Sequence, residues 1–366
     1  MNKLVVLLAL GLSVSLSAQQ QAFVVPVQNT AAEGLGQRRL AGFGADVRQQ
    51  IIVSAEHLKP LAGRALVGLS FRRDRGLNIP FEGGWVALSL SLSTSRRLAA
   101  NPSYIMAENV GSDQTEVFSG KLELPSSGVL SAEIAPWDTS TTAHLVFSLP
   151  FPYHGGDLCI ELRPLFNLPV TDISRWPVDA AVNPTGGSVE VVGPSCSTFL
   201  GAPSEFGPTQ SSVSARDLVI GHSARFSMRG TPNGGAMFLI GSQLEPALDL
   251  GMLGLPGCLL QVSPSSRIYV TSFAPPIVDW APEFGGRANA TLEIPASTSL
   301  LGAEFYSQWV DMGPPIMTSN TLHITISSDL PTLGMSIVSA PYEGTTPPQI
   351  GHVSIDVGQV MRFDYR

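Results

Sequence analysis

Lysine is almost missing from the 366 residues: Lys3, Lys59 and Lys121 are the only ones, so arginine carries the positive charge. Charged residues of every kind make up 14% of the chain and the formal net charge is −8. An acidic chain with few arginine-rich segments lacks the electrostatic footprint of a nucleic-acid binder, which argues against that partner. After residue 18 no apolar run approaches the about 20 residues that a membrane-crossing helix needs, so no transmembrane anchor is expected once the first segment is removed. Zinc spacing is missing as well. His57, His144, His154, His222, His323 and His352 stand singly, with no His-x-x-x-His pair. Nor is there a Gly-x-Ser-x-Gly elbow, since Gly221-His222-Ser223 and Gly68-Leu69-Ser70 lack the second glycine and fall inside predicted strands. Finally, no segment holds a helical period for three turns.

What is present begins with an address. Residues 1–18 read as an export signal: Lys3 supplies the cationic start, Leu4 to Leu16 the short apolar stretch, and Ser15, Ser17 and Ala18 the small residues for cleavage. The mature protein is therefore expected to be secreted, periplasmic or at the cell surface. Gly and Pro number 36 and 29, the turn-rich composition of an all-β chain with short strands.

The apolar pattern has period two. Val86, Leu88, Leu90 and Leu92 alternate with Ala87, Ser89, Ser91 and Ser93, which predicts a half-buried strand. Similar strands are predicted at 50–54, 65–73, 115–124, 142–149, 157–163 and 188–192, with short helical turns near Ala55–Leu61 and Ile173–Val178. A second series follows at 223–230, 235–241, 257–263, 267–272, 287–294, 303–310 and 320–327, and two further stretches alternate at 334–339 and 351–365. The expected architecture is all-β with two β-sandwich domains: a jelly-roll-like one over 23–192 and a disulfide-stapled one over 193–328. The extension 329–366 is expected to add strands to the second domain; the alternative is an appendage that completes a partner's sheet.

In an oxidising compartment a pair among Cys159, Cys196 and Cys258 should bridge. Cys196 and Cys258 lie in turn contexts, Gly-Pro-Ser-Cys and Leu-Pro-Gly-Cys, and are the expected pair. Closing roughly 62 residues would contribute about 4 kcal/mol. Alternation puts Cys159 on a polar face with Asp157 and Glu161, as a quiet surface thiol or an intermolecular link; neighbouring carboxylates disfavour a catalytic thiolate.

The run Leu248-Asp249-Leu250-Gly251-Met252-Leu253-Gly254-Leu255-Pro256-Gly257-Cys258, with Leu300-Leu301-Gly302-Ala303-Glu304-Phe305-Tyr306-Ser307-Gln308-Trp309 and Thr318-Ser319-Asn320, resembles a C-terminal module of exported planctomycete-type proteins. Arg48-Gln49-Gln50-Ile51, Gly68-Leu69-Ser70-Phe71-Arg72, Asn109-Val110-Gly111 and Pro150-Phe151-Pro152-Tyr153 are similar to the domain that often precedes it. The resemblance covers roughly residues 45 to 327 and implies the all-β fold and the location. It also supports the cysteine pairing, and it carries no ligand or catalytic residue across. The tail after Ser328 departs from the pattern.

Candidate chemistry is sparse. Trp85 shares parity with the small polar face of its strand, and Trp137 and Trp176 sit beside prolines in predicted loops; together they are the candidate aromatic platform for a sugar. Coverage of Trp85 by a loop or by the second domain is the competing structural reading. Arg72, Arg73 and Arg75 with Arg96 and Arg97 offer a basic spot for an anionic glycan, or simply solvated strand ends. Asn109 and Asp113 around Gly111 are the candidate calcium ligands, set against an ordinary Asn/Asp turn; no other cofactor is expected. Asp113 with Glu116, and Asp157 with Glu161, are the acids a glycosidase or lyase could use. The expected function is non-catalytic: surface structure, adhesion or glycan binding, with extracellular glycans or surface proteins as partners. A carbohydrate-active enzyme using acids of the first domain is the alternative.

Overall fold

An extended chain sends alternate side chains to opposite faces, so the Val86–Leu92 pattern dictates a strand with one aliphatic face. It forms Gly84–Thr94, with Val86, Leu88, Leu90 and Leu92 fully buried. A computed structural model describes residues 20–40, 47–76, 79–130, 137–166, 176–183, 186–197, 202–204, 207–209, 211–263, 267–274, 285–342 and 344–366, and over them the protein is all-β. The predicted export segment, residues 1–18, lies outside the described residues. So does the first half of the predicted turn Ile173–Val178, whose last residue opens a strand.

In chain order the first strands are β1 (Gln21–Val25), β2 (Gly36–Arg38), β3 (Val47–Val53), β4 (Arg64–Arg72), β5 (Gly84–Thr94), β6 (Thr115–Leu124), β7 (Thr142–Tyr153), β8 (Leu158–Pro164) and β9 (Val178–Val182). Then come β10 (Ser188–Gly193), β11 (Ala202–Ser204), β12 (Gly207–Thr209), β13 (Ser211–Ser212), β14 (Ser223–Gly230), β15 (Gly235–Gly241), β16 (Leu244–Asp249), β17 (Leu259–Val262) and β18 (Arg267–Ser272). The last are β19 (Gly286–Glu293), β20 (Glu304–Asp311), β21 (Met317–Thr318), β22 (Thr321–Thr325), β23 (Met335–Pro341), β24 (His352–Ile355), β25 (Val357–Gln359) and β26 (Met361–Tyr365). The one α-helical turn described, Ala55–Leu58, falls where the sequence predicts it, capped by the Ser54 side chain.

A four-stranded sheet, β1-β26-β4-β7, and a six-stranded sheet, β24-β23-β3-β8-β5-β6, hold one core between them. Leu69, Phe71, Leu145 and Phe363 from the first meet Ile51, Leu90, Ile160 and Leu162 from the second in one buried cluster. A separate cluster of Val189, Phe226, Phe238, Trp309 and Ile324 is built by β10-β22-β20-β15-β18 and β13-β14-β19. The staple is there: Cys196 and Cys258 are bonded with Cα atoms 5.0 Å apart.

Three expectations are corrected. The stretch 188–192, assigned by sequence to the first domain, is β10 and pairs with β22, with Val189 in the second core. The chain therefore changes sheets between Val182 and Ser188. The extension does supply strands, but to the other core: β23 runs between β24 and β3, from Met335↔Val53 to Pro341↔Val47, and β26 runs between β1 and β4. Without them β3 and β4 would each expose an open edge over a hydrophobic face. The second core is thus inserted between β9 and β23. Cys159, read as a surface or intermolecular thiol, is only 1% exposed. It lies on β8, interior to its sheet, and the polar-looking face of that strand is covered by a further cluster of Ile52, Met106, Val338 and Ile355. Burial, then Glu161, pushes its thiol pKa up. Glu161 on the same face is buried too, held by Arg48 at 2.5 Å and Arg163 at 2.6 Å.

The cores meet near β14 and β24. Val353 N donates to Ser223 Oγ at 2.9 Å, and the His222 and His352 rings lie edge to face with centroids 6.0 Å apart.

Candidate functional site

Pairing register builds a polar surface on the outside of the four-stranded sheet. Leu69, Phe71, Ala143, Leu145 and Phe363 turn inward, so alternation turns Ser70 and Arg72 of β4, Thr142 and His144 of β7, and Arg362 and Asp364 of β26 outward. Cross-strand pairing then aligns His144 with Ser70 and Ser70 with Arg362. Gly68 pairs with Asp364, and a Cβ there would sit 2.8 Å from Asp364 Oδ2, so the missing side chain leaves room for the carboxylate.

A pocket of about 340 Å³ opens on this surface, lined by Gln20, Trp137, Asp138, Thr139, Thr142, His144, Arg362 and Asp364. Four of its buried polar atoms have no hydrogen-bond partner among the described residues: Trp137 Nε1, Thr142 Oγ1, Arg362 Nε and Asp364 Oδ2, the last only in longer contact with His144 Nδ1 at 3.5 Å. Buried polar groups are nearly always satisfied, so a group of orphans around one pocket points to a polar occupant. Together they supply donors and acceptors. Asp138 is occupied otherwise: burial raises its pKa, but hydrogen bonds from Ser140 and Thr141 outweigh that and lower it overall.

Ser70, His144 and Asp364 superficially suggest a nucleophilic triad. His144 Nδ1 lies 2.8 Å from Ser70 Oγ and 3.5 Å from Asp364 Oδ2. A relay needs the serine and the acid on different ring nitrogens, whereas here both face Nδ1, and Ser70 is fully buried. The cluster fixes the imidazole and does not activate a serine.

A second concavity, about 260 Å³, is lined by Glu33–Gln37 and Asp74–Gly76. Glu33, Asp74 and Asp179 each bring a carboxylate oxygen to within 4.8 Å of the others. Gly34 allows the approach, since a Cβ there would lie 2.0 Å from Ala180 O, and its N–H donates to Asp179 Oδ1 at 2.8 Å. Asp179 Oδ2 is ion-paired with Arg72, both side chains fully buried. Asp74 Oδ1 accepts from Gly76 N at 2.6 Å. Calcium needs six to eight oxygens, and these acids are largely committed to Arg72 and to backbone N–H groups. Burial, reinforced by Asp179 and opposed by Gly76 N–H and the charges of Arg75 and Arg72, pushes the Asp74 carboxyl up to about 6.

That shift has a sign. The folded protein holds the Asp74 proton more tightly than the unfolded chain, so stability is lost as pH rises from about 4 to about 6 and stays lost above. Asp74→Asn, which keeps the acceptor for Gly76, is expected to raise stability at pH 7.5 by about 2–3 kcal/mol, with no gain at pH 3.5. Urea titrations of both proteins at the two pH values check it; equal stability at pH 7.5 refutes it.

The residues singled out from sequence are dispersed. Trp85 is half-buried, with Lys121 Nζ 4.0 Å from its ring centroid, so a cation and not a loop covers one face. Trp176 is 1% exposed and part of the first core, which leaves no platform. Trp137 does line a pocket, but the Arg72 and Arg362 guanidinium groups lie over its ring at 5.1 and 5.3 Å, and its free feature is the Nε1 edge. Asn109 is buried with both amide atoms used, Nδ2 toward Gln50 and Ser103 O, and Oδ1 by Ser103 N. Asp113 accepts from Thr94 N and Oγ1. These bonds fit a structural turn.

Among the acids proposed for catalysis, Asp157 accepts from Ala55 N and Ala99 N, and Glu161 is held by Arg48, Gln50, Gln114 and Arg163. The expected basic spot does not form around Arg72 and Arg73, which are fully buried. Residues 33, 74 and 179, and 142, 144, 362 and 364, carry no local motif; strand pairing and the segments flanking β2 and β4 bring them together.

No family model matches the chain, and no curated protein or solved structure is significantly similar to it.

Proposed function

We propose that the protein is exported and non-catalytic, and serves adhesion or surface structure by binding a glycan in the Trp137 pocket. The observation that carries this is the set of four buried polar atoms without a hydrogen bond among the described residues around one cavity of about 340 Å³. Mixed donors and acceptors suit hydroxyl groups, which both give and accept hydrogen bonds. The disulfide fits an oxidising compartment, and among the described residues no helix is long and apolar enough to cross a membrane. The resemblance to exported planctomycete-type proteins supports the same location.

A glycan array identifies the ligand, and Asp364→Asn and Thr142→Val test the pocket. Each variant is expected to weaken binding at least about tenfold, the effect of losing a hydrogen bond to a buried group, while melting as the parent does. A parent that binds no glycan, or variants that bind equally well, would remove the pocket from consideration.

One observation favours a second reading. Asp74, protonated up to about pH 6, beside Glu33 has the form of a general acid with a carboxylate neighbour. Against it, the oxygens lie within 4.8 Å, closer than the about 6.5–9.5 Å of an inverting pair and the about 5–5.5 Å of a retaining one. Under this reading Asp74→Asn abolishes any glycan cleavage; under the binding reading there is none to abolish.

A further inference from the structure

The sheet β13-β14-β19 turns Ala224, Phe226, Met228 and Ala288 into the second core. Alternation therefore puts Arg225, Ser227 and Arg229 on the opposite face, paired across the ladder with Thr291, Asn289 and Arg287. Arg229 and Arg287 are direct cross-strand partners. Like charges in that position destabilise a sheet, and no ion pair among the described residues neutralises these. Among the described residues no carboxylate forms an ion pair with Arg225, Arg229 or Arg287. Arg287 donates to Ser227 Oγ at 3.0 Å, and Ser227 donates in turn to Asn289 Oδ1, both neutral groups. Arg229 Nη1 is buried with no hydrogen-bond partner at all. Burial, then the Arg287 charge, lowers the Arg229 pKa, the direction expected of a cation without a counter-ion.

The contrast with the rest of the chain is what gives this weight. The protein has a net charge of −8, and two of its three buried arginines, Arg48 and Arg72, are each matched to an acid, Glu161 and Asp179, while the third, Arg73, is held by Ser127 Oγ and by the carbonyls of Gly128 and Ile79. Glu293 lies on the same face near Arg225, but it accepts from Ser223 Oγ and forms no ion pair with the arginines, so the three leave counter-charge to come from outside. The geometry also selects its form. Arg225 and Arg229 stand four residues apart on one strand, about 13 Å, while Arg229 and Arg287 form a close pair. A small anion spans only the pair, whereas a chain with anionic groups at intervals reaches all three. The planar guanidinium fork matches carboxylate and sulfate oxygens two at a time.

We propose that the Arg225–Arg229–Arg287 face binds an anionic polysaccharide through its carboxylate or sulfate groups. This site lies on the second core and stands independently of the Trp137 pocket. The test is titration calorimetry at low ionic strength with polygalacturonate as the carboxylate probe, dextran sulfate as the sulfate probe and neutral dextran as the control. The parent is expected to bind at least one anionic polymer and not neutral dextran, with affinity falling as salt rises. The double variant Arg229→Gln/Arg287→Gln, its fold checked by near-ultraviolet circular dichroism, is expected to lose at least tenfold. Which probe binds distinguishes sulfate from carboxylate recognition. Failure of both anionic polymers to bind, equal binding by the double variant, or equal binding of neutral dextran overturns the proposal.

Discussion

A chain ending at Ser328 is expected to lose the first core while keeping the second. The missing segment is interior: β23 is hydrogen-bonded on both sides, to β24 and β3, and β26 to β1 and β4. It also carries Met335, Ile337, Val338, Val353, Ile355, Val357, Val360, Met361 and Phe363, all buried. Even at about 1.5 kcal/mol per buried side chain, their loss exceeds about 10 kcal/mol, comparable to the about 5–15 kcal/mol that holds a whole domain folded. The second core takes none of its buried cluster from residues beyond Ile326 and keeps its staple. Limited proteolysis of the truncated protein should therefore leave a resistant fragment close to residues 188–327 and digest residues 20–182. Survival of both regions would mean that the returning strands are dispensable.

The consequence is that the first core forms only after nearly the whole chain is available. β3 waits for β23, from which it is separated by the entire second core, and such remote pairings are slow to form. The inserted second core has its pairings within residues 188–325 and can fold before the first closes.

Local pattern explains why strands were legible and their partners were not. The aliphatic alternation in Val86–Leu92 predicts both the strand and its buried face, because period two depends only on the chain itself. The turn-flanked cysteines likewise predict their bridge. Cys159 shows where the same logic stops: alternation gave the face correctly as the one shared with Glu161, but the burial of that face depends on Met106, Val338 and Ile355, which no local pattern reveals. The tail is the larger case. Its alternation predicts strands at 334–339 and 351–365, yet nothing in Met335–Pro341 names β3 as its neighbour. The candidate sites inherit this. Glu33, Asp74 and Asp179 meet because β2 pairs with β9 and the Arg73↔Val178 bridge brings the end of β4 to the start of β9, and Thr142, His144, Arg362 and Asp364 meet because β7 and β26 flank β4.

The second large effect centres on Arg72, which joins those two sites. Its guanidinium is ion-paired with Asp179, both side chains fully buried, donates to Ala32 O at 2.7 Å, and lies 5.1 Å from the Trp137 ring centroid. Asp179→Asn leaves that cation buried without its counter-charge, and a cost of about 3–5 kcal/mol is expected in urea unfolding. The charge, and not the shape, should carry the loss: the double variant Arg72→Met/Asp179→Leu removes both ions and is expected to recover much of it. Equal losses in the single and double variants would assign the effect to packing. Two further readouts separate a network from an isolated pair. Asp179 helps to raise the Asp74 carboxyl, so the neutral-pH gain from Asp74→Asn should shrink in the Asp179→Asn background. Because Arg72 also covers Trp137, the same substitution should alter Trp137 fluorescence, whereas Glu161→Gln, which breaks the separate Arg48 pair, should leave it unchanged. Coupling of both kinds would establish that the acid cluster, acting through Arg72, sets the geometry of the polar pocket.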